Sequence, residues 1–315
     1  MKKFLVKALI LTLIIGVLMV LATPVLKPNW NYGNSCFGKT TRAYLDQPDD
    51  SIDVLFLGSS QILRGLDTAA FRDEYGIAAY TRATAVQFPS VAYYYLKEAT
   101  EHHDLKVVVS DFSNLYISYD PDKYEPYLRY AFDYMPLSAD KLKAVKATIQ
   151  GSETQSISSY IFPFLRYHSR WRELTWEDVT WPLHKQEDDA YGSILLEDVR
   201  PLTHHITTYA DTPEPYDEDS AYWYGKIIEL CKEKQIKLIL LRLPRENWSP
   251  EMATADLEYA EKYDVTFYDL NSEELYTKLG FNDQTDFLDL SHLNATGAKR
   301  VTPWLADILN EAMTK

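Results

Sequence analysis

The chain has 315 residues, 46% of them apolar and 25% charged, enough to bury a full hydrophobic core in one or two domains. Its formal net charge is −14, and the first 31 residues carry four lysines and no acid, so the remainder is more acidic still. Such a surface repels phosphate backbones and excludes nucleic acid as the partner.

From Phe4 to Leu26 the only charge is Lys7, and Ala8 to Leu26 has none. At ~1.5 Å per residue that run nearly spans a ~30 Å hydrocarbon core. Val20-Leu21-Ala22 offers a small-residue cleavage context, yet the run exceeds the ~7–15 residues of a signal-peptide core. The expectation is an uncleaved anchor over residues 1–28. Lys2, Lys3 and Lys7 precede the span and no basic cluster follows it, so the N-terminus belongs in the cytoplasm and everything after Pro28 outside the cell membrane. Cys36 lacks the setting of a lipoprotein anchor. Cys231 lies on the apolar stripe of Ile227-Ile228-Glu229-Leu230-Cys231, which reads as a buried free thiol rather than half of a disulfide.

After a polar stem, Ile52 to Leu57 is a short apolar run ending at Gly58, the pattern of a buried parallel strand. A helix is expected from Ser90 to His103, and Val107-Val108-Val109 is a second buried strand. Between Tyr119 and Pro215 the alternation gives way to Tyr-, Trp- and Pro-rich sequence without regular strands, read as an insertion. Its aromatics suit a core or a sugar-stacking wall. A helix from Ala221 to Lys234, opened by the acidic Asp217-Glu218-Asp219, restores the pattern. It continues with a strand at Leu238–Leu241, a helix at Pro250–Tyr263 and a strand at Val265–Leu270. Val301, Trp304, Leu305, Ile308 and Leu309 give the closing helix one apolar face. Strands alternating with helices imply a three-layer α/β/α sandwich with a mainly parallel central sheet, all strand C-termini on one edge.

Two segments carry chemistry. Gly58-Ser59-Ser60 stands where a buried strand must turn, so a serine there either projects into the crevice or caps the next helix. Asp289 and His292, in Asp286-Phe287-Leu288-Asp289-Leu290-Ser291-His292-Leu293-Asn294, are spaced to hold a carboxylate on one imidazole nitrogen and leave the other to take a serine proton. A structural histidine tied to a local carboxylate has the same spacing. The adjacent pairs His102-His103 and His204-His205 diverge, and His168 and His184 lack a ligand partner at helical spacing, so no metal or other cofactor is expected.

Together, a strand-terminal Gly-x-Ser near the start and Asp-x-x-His before the last helix resemble the outer blocks of SGNH/GDSL hydrolases. The resemblance covers roughly 52–118 and 221–315 and puts the nucleophile on Ser60, with His292 as base and Asp289 as its orienting acid. It implies an SGNH-like catalytic domain over 29–315 with the insertion at about 119–215. The glycine of the family's second block is absent from Thr81–Gln87, and its Gly-x-Asn-Asp block is missing; Gln87 and Asn114 stand where oxyanion donors are expected. With the anchor added, the chain looks most like DltD-type proteins. That implies an acyl transferase acting on a cell-surface polysaccharide or teichoic-acid-like polymer beside a membrane-bound O-acyltransferase. A deacylase of the same fold and an idle scaffold remain alternatives. Arg166-Tyr167-His168-Ser169-Arg170-Trp171 is similar to a segment of such proteins and has no assigned role.

Overall fold

Alternating apolar side chains send the two faces of each central strand into different cores. The computed structural model describes residues 1–32, 35–203, 207–246 and 248–314; His204 and His205 fall outside them. Strands β1 (Val54–Leu57), β2 (Ala79–Thr81), β3 (Val107–Asp111), β4 (Lys237–Arg242) and β5 (Thr266–Asp269) form one parallel sheet in the order β2-β1-β3-β4-β5. The labelled helices are α1 (Lys2–Leu26), α2 (Ser60–Gly65), α3 (Pro89–His102), α4 (Glu218–Lys234), α5 (Pro250–Tyr263) and α6 (Ala295–Thr314). Leu55, Leu57, Val108 and Leu240 pack beneath α3 and α4, while Phe56, Val109, Ile239 and Leu241 pack against α2 and α6. The result is the three-layer α/β/α sandwich expected.

Strand β2 escapes the sequence pattern because it is only three residues long and its Tyr80 and Thr81 interrupt any apolar run. The helices lie close to their expected positions. Asp217 caps α4, its carboxylate accepting from the Ser220 N–H at 2.8 Å, so the acidic run there is a helix start. Cys231 is buried and free, as its place on the apolar stripe requires.

The sheet order reverses beside β1: β2 lies on one flank and β3 on the other. Open α/β sheets place their crevice at the strand C-termini beside such a switch. Ser60 follows β1, and Asp111 ends β3, at that point.

Segment 119–215 has no strand among its described residues and folds as short helices, Glu125–Phe132 and Ala139–Thr148 among them. Leu128, Phe132, Val145 and Tyr160 share the core that holds Leu55 and Val108. Its later part is laced to the crevice walls: Ile194 N–H donates to Leu63 O at 2.8 Å, and Arg200 N–H to Phe287 O at 2.8 Å. Helix α1, 25 residues and about 38 Å long, is long and apolar enough to cross a membrane.

Candidate active site

The turn after β1 is built around a glycine that no other residue replaces without strain. Gly58 has φ +143°, and a Cβ there would lie 2.3 Å from Asp111 Cβ. Its N–H donates to Gln87 Oε1 at 2.8 Å. Both readings of the serine pair are realised, one by each serine. Ser59 caps α2, accepting from the Gln61 N–H at 3.3 Å, while its own hydroxyl donates to the buried Asp111 carboxylate. Ser60, the first residue of α2, is left partly exposed with its Oγ 2.7 Å from His292 Nε2.

The other half of the site is a two-stranded hairpin, Phe287–Asp289 against His292–Leu293, with Asp289 directly opposite His292. A two-residue turn, Leu290-Ser291, thus brings the carboxylate onto the ring: His292 Nδ1 lies 2.8 and 2.9 Å from the two Asp289 oxygens. Nδ1–H donating to Asp289 leaves the Nε2 lone pair for the Ser60 hydroxyl. Partial burial pushes the Asp289 carboxyl up, but the Ser291 amide and the His292 ring outweigh it and hold it below the usual carboxylate range. Asn294 locks the hairpin to α6, accepting from Gly297 N–H at 3.1 Å and donating to Thr285 O at 2.8 Å.

Gln87 and Asn114 sit behind this turn. The Gln87 amide spans it, donating to Arg82 O at 2.8 Å and accepting from Gly58, so both its ends are engaged in holding the loop. Asn114 Nδ2 donates to Gln87 O at 3.0 Å, leaving its second N–H. Val86, just before Gln87, takes φ 50°, a left-handed conformation that a β-branched residue adopts only when its surroundings impose it.

Three residues of the site were not singled out from sequence. Asp111 ties Ser59 and the Ser113 N–H, the latter at 2.8 Å; a carboxylate ending the apolar Val107 run was its only signal. Arg64 lies one helical turn after Ser60, and Arg245 lies on the loop after β4, where the neighbouring Glu246 N–H donates to Leu290 O of the hairpin at 2.8 Å. Burial pushes both guanidiniums downward, opposed at Arg64 by the Asp289 charge and at Arg245 by Asp111 and, more weakly, Asp289. Arg64 Nη1 and Arg245 Nε are buried without a hydrogen-bond partner among the described residues. Beneath them the fully buried Arg242 pairs with Asp256 at 3.0 Å and with Asp269, which orders Asn271 to accept the Arg245 N–H at 3.0 Å.

No family model matches the chain, and no curated protein matches it. Among solved structures it is similar to a "putative acylhydrolase" from Bacteroides fragilis NCTC 9343 at 14% identity, covering 87% of this chain and 95% of that one with a TM-score of 0.39.

Proposed function

We propose that the protein is a membrane-anchored serine esterase or O-acyltransferase of the SGNH type, acting outside the cell on an acylated cell-envelope polymer. The observation that carries this reading is the continuous chain Ser60 Oγ, His292 Nε2, His292 Nδ1, Asp289, with every link at hydrogen-bond distance. Ser60 attacks an ester carbonyl as His292 takes its proton, and the Asp289 carboxylate stabilises the imidazolium. His292 then protonates the departing alkoxide, leaving an acyl-serine. Water or a polymer hydroxyl, deprotonated by the same imidazole, releases the acyl group. The second Asn114 N–H is the side-chain candidate for the oxyanion. Arg64 and Arg245 favour a substrate bearing phosphate or carboxylate, in keeping with a teichoic-acid-like or acidic polysaccharide chain. Lys2, Lys3 and Lys7, before the uncharged run of α1, support an outside location, and the anchor supports pairing with a membrane-bound O-acyltransferase, since tethering raises local concentration to the ~mM range.

The test is labelling with a fluorophosphonate probe. Wild type is expected to be modified at Ser60, Ser60→Ala to be silent, and Ser59→Ala to retain labelling. His292→Ala should slow labelling by roughly 10^3–10^4-fold and Asp289→Asn by less, with folding intact. Equal labelling of wild type and His292→Ala would sink the triad. Less acylated polymer in Ser60→Ala cells identifies a transferase, and more identifies a deacylase.

A further inference from the structure

The insertion presents an apolar face at the side of α1, well below the level at which α1 leaves its apolar run. A groove of about 950 Å³ separates α1 from Ile161–Leu165 and follows α1 past Thr23, Met19 and Gly16. At ~1.5 Å per residue Gly16 lies about 15 Å along the helix from Leu26, within the apolar span. On this side of the domain Leu137 is 71%, Phe162 60% and Leu165 49% exposed. Apolar groups so gathered in water are costly, and a soluble surface scatters them singly.

A second layer lies at the helix exit. Arg170 donates to Leu26 O at 2.6 Å, and Lys27 donates to Asp133 O at 2.9 Å. The segments His168–Arg172 and Trp176–Thr180 both touch α1. Each carries an outward tryptophan, Trp171 at 63% and Trp176 at 78% exposure, and Arg172 stacks on Trp171 at 5.0 Å. An apolar tip with tryptophans, arginine and lysine gathered near the helix exit is the set of groups that suits the boundary between hydrocarbon and headgroups.

We infer that the insertion is a membrane seat: the 161–165 tip and Leu137 enter the hydrocarbon of the leaflet facing the domain, with Trp171, Trp176 and Arg172 at its headgroups. Lipid acyl chains fill the groove. This gives a role to Arg166-Tyr167-His168-Ser169-Arg170-Trp171, which the catalytic chemistry leaves unused. Thr12 and Gly16 on the groove wall would also accept a helix of a partner protein. Lipid is favoured because α1 is exposed on all sides from its start to Leu18, and Leu137, Phe162 and Leu165 stay about half or more exposed although they line the groove. One partner helix covers one side only; an apolar solvent covers all. The seat is independent of Ser60 chemistry.

The test uses the full chain with Cys36→Ser, reconstituted into phosphatidylcholine–phosphatidylglycerol nanodiscs. A nitroxide is attached in turn to Phe162→Cys, Leu165→Cys, Leu13→Cys and the exposed Glu273→Cys. Collision with oxygen, which concentrates in hydrocarbon, is compared with collision with a water-soluble nickel chelate. Oxygen should dominate at 162, 165 and 13, and the order should reverse at 273. Nickel dominance at 162 and 165 would overturn the seat, whether or not Leu13 reports hydrocarbon. Protection of 162 and 165 from both reagents would also overturn it, since protein rather than lipid would then cover the tip.

Discussion

At the scale of single residues, the Ser60–His292–Asp289 hydrogen-bonded chain was legible because its parts lie in two short motifs whose spacing reflects local geometry. Gly58-Ser59-Ser60 needs only the strand before it, and Asp289 and His292 face each other across one tight turn. Asp111, Arg64 and Arg245 were not legible, because an isolated charge gains its meaning from tertiary neighbours. Asp111 meets Ser59 from a strand 52 residues away. Arg245 is oriented through Asn271 by the buried Arg242–Asp269 pair. Gln87 was expected as an oxyanion donor, and the structure shows its amide bracing the Gly58 turn through one N–H and its oxygen. The two arginines yield a prediction. Arg64→Gln and Arg245→Gln should each raise KM for a phosphate- or carboxylate-bearing ester by about tenfold or more, the worth of a charged hydrogen bond of ~1.5–3 kcal/mol. Steady-state kinetics on anionic and neutral esters of equal leaving group checks it; equal effects on both would remove the anion preference.

At the scale of elements, long periodic helices and unbroken apolar strand runs were read, and short elements of mixed composition were not. Helices α4, α5 and α6 have 17, 14 and 20 residues, enough turns for an apolar stripe to declare itself. Strand β2 and the short helices of the insertion are held by the core they join rather than by their own pattern. The turn from β1 to α2 is where one atom decides the geometry. Gly58→Ala forces a Cβ against Asp111 and keeps a φ of +143° that L-residues avoid. The expected cost is about 3 kcal/mol or more, strain and displacement together. Chemical denaturation reads that loss, and fluorophosphonate labelling should fall further than the folded fraction does, because Ser60 follows directly. Unchanged labelling of the folded variant would show that the turn does not position the nucleophile.

For the whole molecule, buried cations set the alkaline response. Lys141, its Nζ donating to Met135 O at 2.8 Å, is pushed by burial from the usual 10.5 to about 8, and Lys27 falls to about 8 for the same reason. Between about 8 and 10 the unfolded chain therefore holds more protons at these two lysines than the native one, so they make stability rise with pH across that window. Burial raises the Tyr44 and Tyr95 hydroxyls to about 12, which reverses the slope once unfolded phenols ionise above about 10. The melting temperature should be higher at pH 9.5 than at pH 7.5, and Lys141→Met should flatten the rise. A fall over that interval in wild type would contradict the placement of these lysines.

The two halves of the proposed triad also arrive at different times. Ser60 and His292 are 232 residues apart. At ~5–20 residues per second the ribosome supplies the base roughly 10–50 s after the nucleophile. Until then the hydroxyl is an ordinary alcohol with no proton acceptor. On the proposed mechanism a nascent or unfolded chain is thus inert toward thioesters and activated esters, and attack by Ser60 begins only when α6 docks and carries the hairpin into place.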